Sequence, residues 1–526
     1  MVMLVVACLV QWVCYSNAYH VLVISPVPSL SHNTLGRGIV DALLQAGHQV
    51  TWATPYPLRE TVTGLSIIDV SATIPITEGT NYADPKNSGL LFVRQMSRNV
   101  SQTAIRTPEL REAIMKSNFD AVVTEPFFCD ADCGYAAVLQ IPWIPFLSVP
   151  IQPYMEMQVD EVRHLATVPM LMNHATIPMG FWRRLFNSLI YTVMSVERWL
   201  DHLTTKSFYE SQFGPLAAAR GVALPDFYDA FYNISIILVN SHPSLAPTKS
   251  LPPNVVEIGG FHIRNDTVPL PEDLQKLLDS SPQGVVYFSM GSILKSADFA
   301  AVTKQELLKV LGELPYTVLW KFEEQFEDRP KNVHIRKWMP QASILSHPHT
   351  KLFITHGGIL SMTEAVYYGV PLIMIPVYGD QGTNAVQANQ LGIARTVVFG
   401  ENMATSLQVE VNEILANDSY HERVKYLSKL YRKRPVEPSK LIAHYIEVAI
   451  ESRGAYHLRS KSLLYPWYQR WMLDQLTALL VFLTLLFFGT RLTLRISIHR
   501  IRNYMAVKNK FKNCYVLFML LQVCVG

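Results

Sequence analysis

Residues 338–381 read WMPQASILSHPHTKLFITHGGILSMTEAVYYGVPLIMIPVYGDQ, and this stretch decides the fold. An apolar, β-branched run at 351–355 ends at His356. Gly357 and Gly358 follow, and the pattern then turns helical before a second apolar run at 371–377 leads to Asp380 and Gln381. Strand, glycine turn, helix and strand is the repeating unit of a parallel α/β sheet. The same residues carry chemistry. Glycines at the turn let a ligand approach the backbone, and the helix start presents free N–H groups and positive dipole, which makes a phosphate seat. Ser361 and Glu364 lie three residues apart and share a helix face above that seat. The hydroxyl can add to phosphate contacts, and the carboxylate can accept from ribose hydroxyls. Asp380 and Gln381 face the same cleft and suit a hydroxyl-rich sugar, while Trp338 can stack on a flat base. Singly, each residue has a plain explanation, such as a turn glycine or a solvated helix glutamate. Together they describe a nucleotide-sugar site.

Outward from this block, short β-branched runs alternate with helical stretches. The first half offers strands at 20–25, 48–53, 120–124 and 143–149, with a helix over 34–46 stopped by Gly47. The second half offers strands at 284–290, 316–322, 333–337, 351–355 and 371–377. Residues 247–253 are rich in proline and serine, which puts a hinge near 243–254. Two doubly wound domains facing across a cleft suit a ligand held between them. Residues 151–200 hold six of the 18 methionines (Met155, Met157, Met170, Met172, Met179, Met194), interleaved with Trp182, Phe186, Tyr191 and Trp199. Such surfaces adapt to varied apolar ligands. An ordinary helical core accounts for most of these residues; a lipophilic pocket partly facing a membrane is the sharper reading.

The ends differ from the body. Residues 1–18 form an apolar run closing on Ser16-Asn17-Ala18, the pattern of a cleavable signal peptide without a basic start. Residues 476–489 are uncharged and, with 472–475 and Thr490, reach the ~20 residues a bilayer needs. Trp467, Tyr468 and Trp471 precede this segment like an interfacial belt. Seven basic residues and no acid follow from Arg491. Of 45 basic and 42 acidic residues, residues 1–490 therefore keep 38 and 42, a net charge of −4. A slightly acidic body argues against nucleic acid. A 49% hydrophobic content excludes disorder, and six cysteines in 526 residues exclude a disulfide scaffold. Cys129 and Cys133 read as buried, unpaired thiols. The positive-inside rule directs the tail to the cytosol and the body to a lumen, where Asn99, Asn233, Asn265 and Asn417 begin N-x-S/T sequons.

The 44-residue block closely resembles the signature of the UDP-glycosyltransferase family, and the order of leader, two α/β domains and anchor resembles the membrane-bound animal members, invertebrate ones most. The resemblance implies a GT-B fold with domains at 19–245 (acceptor-binding) and 246–450 (UDP-sugar-binding), after a signal peptide at 1–18. A juxtamembrane segment at 451–471, a transmembrane helix at 472–490 and a basic cytosolic tail at 491–526 complete it. By position, Trp338 and Gln341 contact the uracil; His356, Gly358 and Ser361 bind the diphosphate; Glu364 binds the ribose; and Asp380 and Gln381 bind the sugar. Gly291 and Ser292 match a second phosphate loop. Leu360 stands where many members have asparagine, and Lys321 where many vertebrate members have arginine, which keeps the charge but loses the bidentate fork.

In the first domain, His32 in PSLSH (28–32) matches the catalytic histidine. A neutral imidazole takes a hydroxyl proton near pH 7, and a carboxylate beside it steadies the cation formed. Glu125 matches the orienting acid, Asp130 is the fallback and Asp120 reads as structural. The expected reaction moves a hexose, glucose by resemblance, from a UDP-sugar to a hydroxyl of a small lipophilic acceptor with inversion. No metal or resident cofactor is expected, the UDP-sugar being a co-substrate. Residence in the endoplasmic-reticulum membrane follows from the same resemblance, although the usual dilysine signal near the C-terminus is missing. Asp130-Ala131-Asp132 also spells the D-x-D motif of metal-dependent GT-A enzymes. A silent membrane-anchored binder of lipophilic ligands is the alternative from another class, and a glycoside hydrolase would leave the phosphate seat idle.

Overall fold

A computed structural model describes residues 18–524 apart from 83, 88, 152, 160–163, 171–172, 248–249, 265–266, 293–298, 325 and 327. The leader through Asn17, Met172 and the Asn265 sequon lie outside the described residues. Seven strands form a first, all-parallel sheet: β1 His20–Ile24, β2 Gln49–Thr54, β3 Leu65–Asp69, β4 Ala121–Thr124, β5 Trp143–Leu147, β6 Ile237–Val239 and β7 Val255–Glu257, in the order β3-β2-β1-β4-β5-β6-β7. Six form a second: β8 Val285–Ser289, β9 Thr317–Lys321, β10 Val333–Arg336, β11 Thr350–Thr355, β12 Leu372–Met374 and β13 Ala394–Thr396, in the order β10-β9-β8-β11-β12-β13. The central strands are apolar on both faces, and β4, β5 and β8 are buried along their whole length. Helices cover both faces, as parallel sheets require. Each fully buried Val, Ile or Leu stabilises by roughly 1.5–3 kcal/mol, so these strands hold the two cores together.

Each sheet reverses its winding once, between β1 and β4 in the first and between β8 and β11 in the second. In open α/β sheets, ligands sit beyond the carboxyl ends of strands at such switch points. His32 follows β1 and Glu125 follows β4; Gly291 follows β8 and His356 follows β11. The topology alone thus brings four expected site residues to the two switch points.

All nine expected strands are present, and four more were not anticipated. β6, β7 and β13 have three residues each, too few for a period, and β3 (LSIID) is a half-exposed edge strand. The first helix begins at Leu30, not residue 34, because Ser29 takes extended N-cap geometry (φ −140, ψ 137) just after Pro28. His32 therefore sits in a helical first turn and not in a loop. The helix ends at Gln45, and Gly47 (φ +87) turns the chain toward β2.

The expected division at 245–246 is also displaced. β7 extends the first sheet to Glu257, and helix Pro438–Glu451 returns to pack Ile442, Ile446 and Ala449 against Val21, Leu35 and Ile39 of the first core. Of the aromatic residues of 181–200, Trp182, Phe186 and Trp199 are exposed on helix Phe181–Arg220, while Met155, Met170 and Met179 are buried. Cys129 and Cys133 are buried and free.

Residues through Arg459 form one compact unit, and Ser460–Gly526 a second. In the second unit, helix Leu473–Cys524 runs for 52 residues, through the expected span at 472–490 and on through the basic tail. By length and composition it can cross a membrane.

Candidate functional site

At the first switch point, His32 Nδ1 lies 2.5 Å from Glu125 Oε1. Glu125 is buried, and its backbone N–H donates to the Ile24 carbonyl at 3.0 Å, which locks the residue to the end of β1. Phe127 meets the imidazole edge-on at 5.1 Å. Burial alone would lower the His32 pKa, but the Glu125 carboxylate, its hydrogen bond and the charge of Asp380 together raise it above 6.5. With Nδ1 donating to Glu125, Nε2 is left to accept a proton.

Asp130 is not near His32 as a partner. Arg198 holds it bidentately, at 2.9 Å to each carboxylate oxygen, and His202 Nε2 lies 3.0 Å away. Although burial opposes it, this pairing keeps the Asp130 carboxyl well below the usual carboxylate range. Asp132 accepts from Ser101 at 2.5 Å, and burial pushes its pKa up to about 7. Asp120, just before β4, accepts from the His20 backbone N–H at the start of β1, at 2.7 Å.

At the second switch point, His356 leaves β11 and its ring lies between two glycines. A Cβ on Gly291 would come within 2.7 Å of the ring, and one on Gly358 within 2.6 Å. Gly291 also needs its left-handed conformation, φ +83. Lys321 at the end of β9 donates to the Gly291 carbonyl at 2.8 Å and fixes that turn. Burial and the nearby Lys321 lower the His356 pKa to about 4, so its ring is neutral. Helix Ile359–Tyr368 starts directly after Gly358, and Ser361 and Glu364 project from one face of it. Gln341, the first residue of helix Gln341–Ser346, donates to Glu364 Oε2 at 2.7 Å and lies 3.3 Å from Ser361 Oγ. Burial raises the Glu364 pKa to about 7 against the pull of that bond. Trp338 is 63% exposed, a free aromatic face on an otherwise packed segment. Ser292 is exposed beside Gly291.

Asp380 and Gln381 have different situations. The Gln381 side-chain carbonyl is committed to the backbone N–H groups of Val377 (2.8 Å) and Tyr378 (3.1 Å), so it shapes the loop. The Asp380 carboxylate is oriented by Asn384, which donates to it at 2.7 Å and to the Gly357 carbonyl at 3.0 Å. Burial raises its pKa. Asn384 was missed in the sequence, although its place four residues after Asp380 on one helix was a usable signal.

A cavity of about 380 Å³ opens beside Asp380, lined by segments 149–177 and 241–251 and by one face of helix Gln381–Gln390 with Leu391. Its walls are mostly apolar, with Ile151, Val168, Met170 and Leu251 among them; among the described residues its charged lining is acidic, Glu156, Glu257 and Asp380.

The family model described as "UDP-glucoronosyl and UDP-glucosyl transferase" matches residues 80–509. A "UDP-glucosyltransferase 2" of Dactylopius coccus is 32% identical over 89% of this chain and 90% of its own length. The mouse "UDP-glucuronosyltransferase 1A1" is 29% identical over 86% of each chain. Among solved structures, a UDP-glucosyltransferase from Polygonum tinctorium superposes with TM-score 0.54 at 18% identity, over 83% of this chain and 99% of that one. The calicheamicin glycosyltransferase CalG4 gives 0.54 at 16% identity, over 83% and 99%.

Proposed function

The chain belongs to the UDP-glucuronosyl and UDP-glucosyl transferase family and is a UDP-glycosyltransferase of GT-B fold; from that premise we propose that it glucosylates a hydroxyl of a small lipophilic acceptor with inversion. The observation that carries this reading is the His32–Glu125 pair, 2.5 Å long and within electrostatic reach of Asp380 across the cleft.

The reaction proceeds in one displacement. His32 Nε2 takes the acceptor's hydroxyl proton while the oxygen attacks the anomeric carbon of an α-linked UDP-sugar. The bond from that carbon to the β-phosphate oxygen breaks on the opposite face, giving a β-glycoside and UDP. Glu125 orients the imidazole and stabilises the imidazolium as it forms. Negative charge developing on the diphosphate meets the start of helix Ile359–Tyr368 and the turn at Gly291-Ser292, with His356 and Ser361 as side-chain partners. Trp338 and Gln341 receive the uracil, Glu364 the ribose, and Asp380 with Gln381 the sugar.

Two features support the finer choices. The acidic lining around Asp380 suits an uncharged hexose, since a sugar carboxylate would meet like charge there. The apolar walls of the same cavity suit a lipophilic acceptor. Helix Leu473–Cys524 would anchor the enzyme in the endoplasmic-reticulum membrane, its basic end cytosolic. Purified protein given UDP-glucose, UDP-glucuronic acid or UDP-galactose with a simple phenol tests the reading. UDP release fastest with UDP-glucose, and a product whose anomeric proton shows the large coupling of a β-glucoside, are expected. An α-linked product or preference for UDP-glucuronic acid would overturn inversion or donor choice respectively.

A further inference from the structure

His262 is a buried imidazole that none of the roles above uses. Its side chain is 0% exposed, and neither ring nitrogen has a hydrogen-bond partner among the described residues. Leaving a buried polar group unsatisfied costs about 1–3 kcal/mol, so such a group asks for an explanation. Glu364 Oε1 lies 3.8 Å from His262 Nε2. That gap exceeds the ~2.7–3.2 Å of a hydrogen bond by less than an atomic radius. The other oxygen, Oε2, is taken by Gln341.

The backbone holds the ring there. Gly259 and Gly260 make a turn in which a Cβ would lie 2.5 Å from the Ser241 carbonyl oxygen or from the Tyr431 hydroxyl, so the segment packs tightly between both halves. On its far side, Phe261 and the His262 backbone press on Gly38: a Cβ at Gly38 would lie 2.8 Å from the Phe261 ring and 3.3 Å from His262 Cα. Gly38 belongs to helix Leu30–Gln45, the helix that carries His32. The segment around His262 therefore touches the helix of the proposed base with its backbone and the proposed ribose ligand with its side chain. Burial lowers the His262 pKa to about 4, so the ring is neutral and carries one N–H to donate.

We propose that His262 is a positioning residue for the donor site: when the nucleotide is bound, a ring N–H of His262 closes onto Glu364 Oε1 and fixes the carboxylate toward the ribose hydroxyls. The contact gives a buried ring N–H the acceptor it lacks among the described residues and braces the Gly38 face of the catalytic helix against an occupied donor site. It rests on the reading of Glu364 as the ribose ligand.

UDP affinity by calorimetry, with donor KM and kcat, on the full-length chain and the variants His262→Leu, His262→Gln, Glu364→Ala and the double variant of His262→Leu with Glu364→Ala tests this. His262→Leu should weaken UDP on the order of 10-fold, the effect of a lost hydrogen bond that leaves a buried partner unpaired. Donor KM should rise similarly with kcat within about threefold, the signature of lost ground-state binding. His262→Gln keeps a donor at similar reach and should restore most of the affinity. In the Glu364→Ala background, which removes the acceptor, His262→Leu should add less than about twofold, since the pair would already be broken. Should His262→Leu fail to fold, His262→Asn, whose amide is too short to reach Oε1, should show the loss that His262→Gln does not. Wild-type UDP affinity in His262→Leu, or an equal loss with and without Glu364, would overturn the proposal alone. Unchanged UDP affinity in Glu364→Ala would instead overturn the ribose reading, and the proposal with it.

Discussion

The two sides of the cleft are built from different materials. On the nucleotide side, six expected ligands, Gln341, His356, Gly358, Ser361, Glu364 and Asp380, come from 40 consecutive residues, and backbone turns and short polar contacts hold them. Gly291 and Gly358 leave room for nothing larger than hydrogen beside His356. On the other side, His32 and Glu125 lie 93 residues apart in sequence, and the cavity beside Asp380 draws its walls from residues as far apart as Val149 and Leu391. A site that must seat one constant group can be written into one strand–turn–helix unit. A site that receives a variable partner is assembled from loops above many strands, where single residues can change without disturbing the sheet.

This contrast predicts which functions separate under mutation. The largest effect should come from His32→Ala. A general base contributes typically about 10²–10⁴-fold, so transfer to an alcohol should fall by at least that much while UDP affinity stays near normal. A phenol ionises more readily and should lose less. Near-normal turnover in a folded His32→Ala protein would break the comparison, because the first side would then supply no chemistry.

Glu125→Gln should act on the same side but less severely. The amide oxygen still accepts from His32 Nδ1, but a charge-assisted bond becomes a neutral one, a loss of ~1–1.5 kcal/mol, or about 5–10-fold in kcat/KM. The pH profile gives the sharper readout. His32 must be neutral to accept a proton, so activity falls on the acid side through its pKa. Burial lowers that pKa, and Glu125 more than offsets it, leaving it above 6.5. Without the Glu125 charge the pKa drops, and the acid limb should move to lower pH even as the maximum rate falls. A limb that stays in place would assign it to another group.

The same contrast explains what could be read from the sequence. The nucleotide side was legible because strand, glycine turn and helix are local patterns, and Ser361 and Glu364 share a face by spacing alone. His32 was assigned by resemblance, since a histidine after a strand has no local signature, and its helix was placed four residues late because Ser29 caps without a side-chain bond. β6, β7 and β13 escaped because three residues cannot show a period. The exposure of Trp182 and Trp199 was misjudged for a different reason: composition identifies an apolar helix, but which face is covered depends on tertiary packing. Asn384 and His262 act only through partners brought close by folding.

Gly358→Ala should have a smaller effect, confined to the nucleotide side. The residue has ordinary extended φ (−63), so alanine strains nothing in the backbone. Its Cβ would nevertheless stand 2.6 Å from His356 Nε2 and push the ring out of its slot. UDP affinity should drop on the order of 10-fold, with kcat at saturating donor largely kept. If kcat fell instead with UDP affinity intact, His356 would belong to the chemistry and the division between the sides would fail.

The smallest expected effect is none. Incubation with EDTA, followed by assay with and without added manganese, should leave transfer unchanged, and the reason lies in where Asp130-Ala131-Asp132 sits. A metal-binding carboxylate must offer lone pairs toward an open coordination site. Both Asp130 oxygens are occupied, one by Arg198 alone and the other by Arg198 and His202, and Asp132 accepts from Ser101. Asp132, with a pKa near 7, is partly protonated at neutral pH, which weakens it further as a ligand. The triplet instead begins helix Cys133–Leu139 and anchors helix Phe181–Arg220 through Arg198. Charge compensation for the leaving diphosphate must then come from the helix start at Ile359 and its neighbouring side chains, which chelation cannot remove. Loss of activity in EDTA, restored by manganese, would show that these groups do not suffice and would move part of the catalytic charge to an ion on the nucleotide side.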